Sequence, residues 1–236
     1  MSRIFCSIAL AAGLFCTGPV MAGPVSDFEV SMRDAYADYR SALFLTNSGK
    51  VGAAIQALDA FMRKWSVLTA ADATPPPQYA DDTGFRQTLD AVAAAVAKAR
   101  TEAQGNSLSK AHETLEGVRN QISNLHERNG IIGFSDRMNA YHAEMEAILG
   151  TDYAALGTDG MGRLREDAAV LSYLAAAVAA HPPPESVNPS YKPLLDGLLA
   201  SAAALRDAAR TGDIAAARPA IGALKPAYSR FFLMFG

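Results

Sequence analysis

Beyond Cys16 the chain has no cysteine, because its only two thiols, Cys6 and Cys16, both fall in the first stretch. A chain cut after that stretch has no disulfide, no thiolate metal centre and no CxxCH sequence for covalent attachment of a c-type haem. Charge of one sign is also lacking. With 21 basic and 24 acidic residues the formal net charge is −3, which leaves no electrostatic footprint for nucleic acid. No apolar run is long enough to span a bilayer. Sustained period-two alternation is missing and β-branched clusters are few, which argues against a sheet protein and for an all-α fold. Hydrolase and zinc-protease signatures such as GxSxG and HExxH are absent, as is any Cys/His nucleophile arrangement. The acids Glu144 and Glu146 stand on different faces of their helix and form no dyad. An enzyme is therefore not expected.

What is present begins with a signal peptide. Residues 1–22 carry a basic start (Arg3), an apolar run from Ile4 to Cys16 and small residues before a predicted cut after Ala22. This predicts export to the periplasm and a mature chain of about 214 residues with net charge −4, since Arg3 is lost. Phe15 precedes Cys16 where a lipoprotein needs a small residue, so no lipid anchor is expected.

Helical periodicity fills the rest. Phe28, Met32, Tyr36, Tyr39 and Leu43 mark a helix over Val25–Thr46, closed by Asn47-Ser48-Gly49. A second helix places Leu58, Met62, Trp65 and Leu68 inward, and Thr74-Pro75-Pro76-Pro77 then forces an extended link. A third is predicted from about Thr83 to Glu102, with Phe85, Leu89, Val92 and Val96 on one face. The fourth, over Ser107–Gly130, carries Leu108, Ala111, Leu115, Val118, Ile122 and Leu125 as one apolar stripe, with His126 at its edge.

After Gly130 the order repeats at an offset of 106 residues: Phe28 falls on Phe134, Met32 on Met138, Leu58 on Leu164, Trp65 on Leu171, Leu89 on Leu195 and Gly130 on Gly236. The proline triplet returns as Pro182–Pro184. The expected domains are 23–130 and 131–236, two tandem antiparallel four-helix bundles.

In such a bundle the start of the first helix lies beside the end of the fourth, which brings Met32 towards His126, with Phe85 and Trp65 reaching the same end. A thioether and an imidazole suit the two axial positions of a haem iron. The first copy resembles the cytochrome b562 family over essentially all of residues 24–130. The likeness is carried by the spacing of Met32 to the Asn47…Val51 turn, by Ala73-Thr74-Pro75-Pro76, by Gly84-Phe85-Arg86 with Asp90, and by Ala111 fifteen residues before His126. The family's arginine one turn before the histidine is Ile122 here, and its terminal arginine is Gly130. The resemblance implies one non-covalent haem b per chain, Met32 and His126 as axial iron ligands, Phe85 as a pocket wall, and electron transfer with a periplasmic redox partner as the activity.

The second copy keeps the methionine as Met138 but has Phe232 at the position of His126, so it is expected to lack haem and to fill its pocket with aromatic rings. Two further readings stand beside this one. Met138, His142 and Met145, at i, i+4 and i+7, offer soft ligands for copper(I). A haem-free interaction or structural protein is the other. His181, before Pro182, is a candidate replacement ligand beside Met138, and His112, near Glu113 and Glu116, reads as an exposed helix residue.

Overall fold

The computed structural model describes residues 24–71 and 74–236; the signal peptide expected over residues 1–22 lies outside them, as do both cysteines. Among the described residues the protein is all-α. Its long helices are α1 (Pro24–Asn47), α2 (Val51–Ala71), α3 (Phe85–Gln104), α4 (Leu108–Arg128), α5 (Phe134–Gly150), α6 (Gly160–Ala180), α7 (Tyr191–Arg210) and α8 (Ile214–Phe235). None of these helices is long and apolar enough to cross a membrane.

Each helix exists because one stripe of it has somewhere to be buried. In α1 the stripe is Phe28, Met32, Tyr36, Tyr39 and Leu43; in α4 it is Ala111, Leu115, Val118, Ile122 and Leu125. α1 lies against α2 and α4, α2 against α3, and α3 against α4; likewise α5 lies against α6 and α8, α6 against α7, and α7 against α8. Successive helices run antiparallel, as their cross-links show. Lys64 of α2 pairs with Asp34 of α1 (3.0 Å), Trp65 of α2 donates its indole N–H to the Leu89 carbonyl of α3 (3.0 Å), and Lys98 of α3 meets Thr114 of α4 (2.8 Å). Tyr39 closes α1 on α4 by donating to the Leu115 carbonyl (2.8 Å).

The two groups of helices share one continuous core, joined where α1 meets α8 and α4 meets α5. The α4–α5 connection is short because Gly130 takes φ +69°, a left-handed conformation that ends α4 without a steric penalty. Asp136 then stabilises the start of α5 by accepting the Gly133 N–H (2.7 Å). Both proline links behave alike: Pro76 (ψ 156°) and Pro183 (ψ 164°) are extended, and each leads into a short 3-10 turn, Pro77–Tyr79 or Pro184–Val187.

The helix ends test the sequence offset. Adding 106 to the bounds of α3 gives those of α7, and Leu108 at the head of α4 maps onto Ile214 at the head of α8. α6 departs from this, beginning three residues later than α2 predicts. The difference is taken up by 151–159, where Asp152 accepts the Ala154 N–H (3.1 Å) and buried Tyr153 donates to Asp167 (2.8 Å). Gly160 permits this packing, since a Cβ there would fall on the Tyr153 carbonyl oxygen.

Candidate functional site at the seam between helix groups

Met32 and His126 line the same cavity, of about 850 Å³. α1 contributes Met32 and Glu29, α4 contributes His126 and Ile122, and the opposite wall comes from the second helix group, through Pro182–Pro184 and Phe235. Met32 is 3% and His126 4% exposed. The cavity is thus placed between the two groups, not within the core of the first.

His126 is fixed from two sides. Its Nδ1 donates to Asp136 Oδ2 at 2.8 Å, because an ionised carboxylate only accepts. Asp136 is itself held by the Ser123 hydroxyl (3.0 Å) and by the Gly133 N–H (2.7 Å), so one carboxylate joins the end of α4 to the start of α5. The other nitrogen, Nε2, is buried with no hydrogen-bond partner. Glu29 Oε2 stands 3.8 Å from it, and Glu29 is anchored by the Tyr79 hydroxyl (2.8 Å) and the Gln78 amide (3.0 Å). Burial pulls the His126 pKa down, but the hydrogen bond and charge of Asp136, with Glu29 behind them, outweigh it and hold the imidazole above its ordinary value.

Phe85 is not brought to this cavity. It stacks on Tyr79 (centroids 4.9 Å) and lies 5.6 Å from Phe28, so these three rings fill the end of the first helix group themselves. His181 is placed on the cavity rim beside Met32 and His126, not with Met138, and its Nδ1 lies 3.0 Å from the Ala177 carbonyl.

The methionines and histidine proposed for copper are divided. His142 and Met145 line a second cavity, whereas Met138 is fully buried and does not line it. Burial, reinforced by Arg119, Lys225 and His112, pushes the His142 pKa down to about 3. Arg119 and Lys225 there oppose a metal cation. No cluster of three or more His, Cys, Asp or Glu able to hold a metal ion occurs among the described residues. His112 is only partly exposed: its Nδ1 lies 3.1 Å from the Leu43 carbonyl and its Nε2 3.5 Å from Glu116. Phe232 stacks on Tyr228 (5.4 Å) and lines the second cavity.

Periodicity alone does not disclose Glu29 and Asp136 as partners of His126, or Tyr79 as the anchor of Glu29. Glu29 precedes Met32 by three residues and so shares its helix face, a signal that was readable. Asp136 could be read as a helix-start residue, but its reach back to α4 depends on the tight turn at Gly130. No protein-family model, curated protein or solved structure matches the chain.

Proposed function

We propose that the protein is an exported haem b-binding electron-transfer protein, built as two tandem antiparallel four-helix bundles, with Met32 and His126 as axial iron ligands. The observation that carries this reading is the state of His126: its Nδ1 is committed to Asp136, and its Nε2 is buried without a partner on the wall of the cavity that Met32 also lines. A ligating histidine is commonly oriented in this way, with its second nitrogen donating to a carboxylate that fixes the ring and raises its basicity. The group that fits these residues is a haem, which would supply a one-electron ferric/ferrous couple when bound. The chain's part is to hold and shield it. Asp136 would orient the imidazole, Met32 would offer a thioether, and Ile122, Phe134 and Phe235 would give apolar contact, while Arg33, Arg40 and Arg137 add charge to the same wall. Glu29 adds negative charge near Nε2, which favours the ferric state.

The haem-free and copper readings gain no comparable support. Phe232 agrees with one haem per chain, since phenylalanine cannot ligate iron. Haem titration of the purified chain, read by absorption in oxidised and reduced forms, tests the proposal. One low-spin b-type haem per chain is expected, with Met32→Ala and His126→Ala each giving a high-spin spectrum or at least about tenfold weaker binding. Absence of a Soret band and of haem uptake would refute it.

A further inference from the structure

The second cavity, of about 330 Å³, is bounded by α4, α5, α8 and the end of α1 and contains none of the residues assigned to haem. It is at the small end of ligand pockets, roughly 300–1,000 Å³, a size for one metabolite-like molecule. Its walls contain a buried cation. Arg119 is 3% exposed, and its Nε and Nη1 have no hydrogen-bond partner. The guanidinium carbon lies 4.9 Å from the centroid of Phe232, which offers a ring face but no acceptor for the in-plane N–H groups. Glu116 Oε2 is 3.4 Å from Nη1, close enough to balance charge without accepting a hydrogen bond. The buried Tyr228 hydroxyl on the same wall is also without a partner.

A buried guanidinium with unanswered donors is costly unless something supplies the acceptor. A bare anion is the wrong complement. The cavity also carries Lys225 paired with Glu146 (3.1 Å), so its two cations already face two carboxylates, Glu116 and Glu146. Adding one negative charge would unbalance that set in a partly enclosed space, whereas a molecule bearing one charge of each sign would not. Leu43, Phe44 and Met145 give the remaining wall an apolar character.

We infer that this cavity binds an α-amino acid with an apolar side chain. The carboxylate engages Arg119 and the Tyr228 hydroxyl, the ammonium faces Glu116 and Glu146, and the side chain lies against Met145 and Phe232.

Isothermal titration calorimetry of the full mature chain tests this with L-valine, L-leucine and L-phenylalanine. Two truncated probes accompany them, 4-methylpentanoate without the ammonium and 3-methylbutylamine without the carboxylate. At least one amino acid is expected to bind 1:1, and each truncated probe at least about tenfold more weakly than L-leucine. Arg119→Met, which keeps the length and apolar stem, should weaken binding by about 100-fold. Should that variant fail to fold, Tyr228→Phe removes only a hydroxyl and should weaken binding severalfold with the helical spectrum unchanged. No heat with any of the three amino acids would overturn the inference. So would equal affinity for L-leucine and 4-methylpentanoate, or unaltered affinity in a folded Arg119→Met or Tyr228→Phe variant.

Discussion

Equivalent ends of the two helix groups are built from the same rings and differ in what was added to them. In the first, Phe28 and Phe85 (5.6 Å apart) are joined by Tyr79; in the second, Phe134 and Tyr191 (6.5 Å) are joined by Phe231 and Phe235. Phe134 and Tyr191 are the 106-residue counterparts of Phe28 and Phe85. The first end adds the buried imidazole of His126, which is held by Asp136 on α5, whereas His181 at the second end is exposed. The aromatic closure is therefore common structural material. The distinguishing chemistry sits at the seam, where each group meets the other.

His126 and His142 sharpen the contrast. His126 is faced by the carboxylates of Asp136 and Glu29; His142 is faced by Arg119, Lys225, His112, Glu146 and the Tyr228 ring. Similar burial gives opposite displacements, because the sign of the surrounding charge decides which form of the ring is favoured.

The largest predicted effect concerns the shared rings. Phe85→Ala should cost about 3–5 kcal/mol of stability and Tyr191→Ala somewhat less, since Tyr191 is 6% exposed and its hydroxyl has no partner. Because the core is continuous, denaturant unfolding of each variant should remain a single transition. Two separated transitions would show that the groups unfold independently.

Next is Asp136→Asn, with an expected loss of about 1.5–3 kcal/mol at mildly acidic pH. The raised His126 pKa contributes stability that is fully present below the unfolded histidine value and fades as pH rises through the folded one. The gap between wild type and variant should accordingly narrow towards alkaline pH, as measured by urea melts across pH.

Near neutrality His142→Gln should have the smallest effect, and its pH trend is the opposite one. With a folded pKa of about 3 against an ordinary 6.5, the wild type binds fewer protons folded than unfolded between those values, so it loses stability as pH falls. The limit for one such group is about 1.4 kcal/mol per pH unit. The variant should lie close to wild type near neutrality and flatten that acid limb. Parallel pH profiles for the two proteins would contradict the assignment.

Much of the helical layout was legible because burial dictates period. The stripes of α1 and α4, the links at the proline triplets and the turn at Gly49 all follow from local sequence. Bounds drifted by about two residues in α3, predicted over Thr83–Glu102 and found over Phe85–Gln104. The offset of 106 correctly carried α3 onto α7, but missed the late start of α6, which depends on Tyr153 finding Asp167 and on the space left at Gly160. The meeting of Met32 and His126 at one cavity was readable from topology. That the cavity lies between helix groups, that Phe85 is spent on Tyr79 and Phe28, and that His181 reaches its rim were not, because each depends on contacts across the seam.

The carboxylate of Asp136 gives this arrangement a modular consequence. A chain ending at Gly130 would retain Met32 and His126 but lose the acceptor of Nδ1, the Pro182–Pro184 wall and Phe235. Its imidazole would be free to rotate, and the thioether would face water. The cavity thus belongs to neither helix group alone, and cutting the chain between them would erase the very site for which one would cut it.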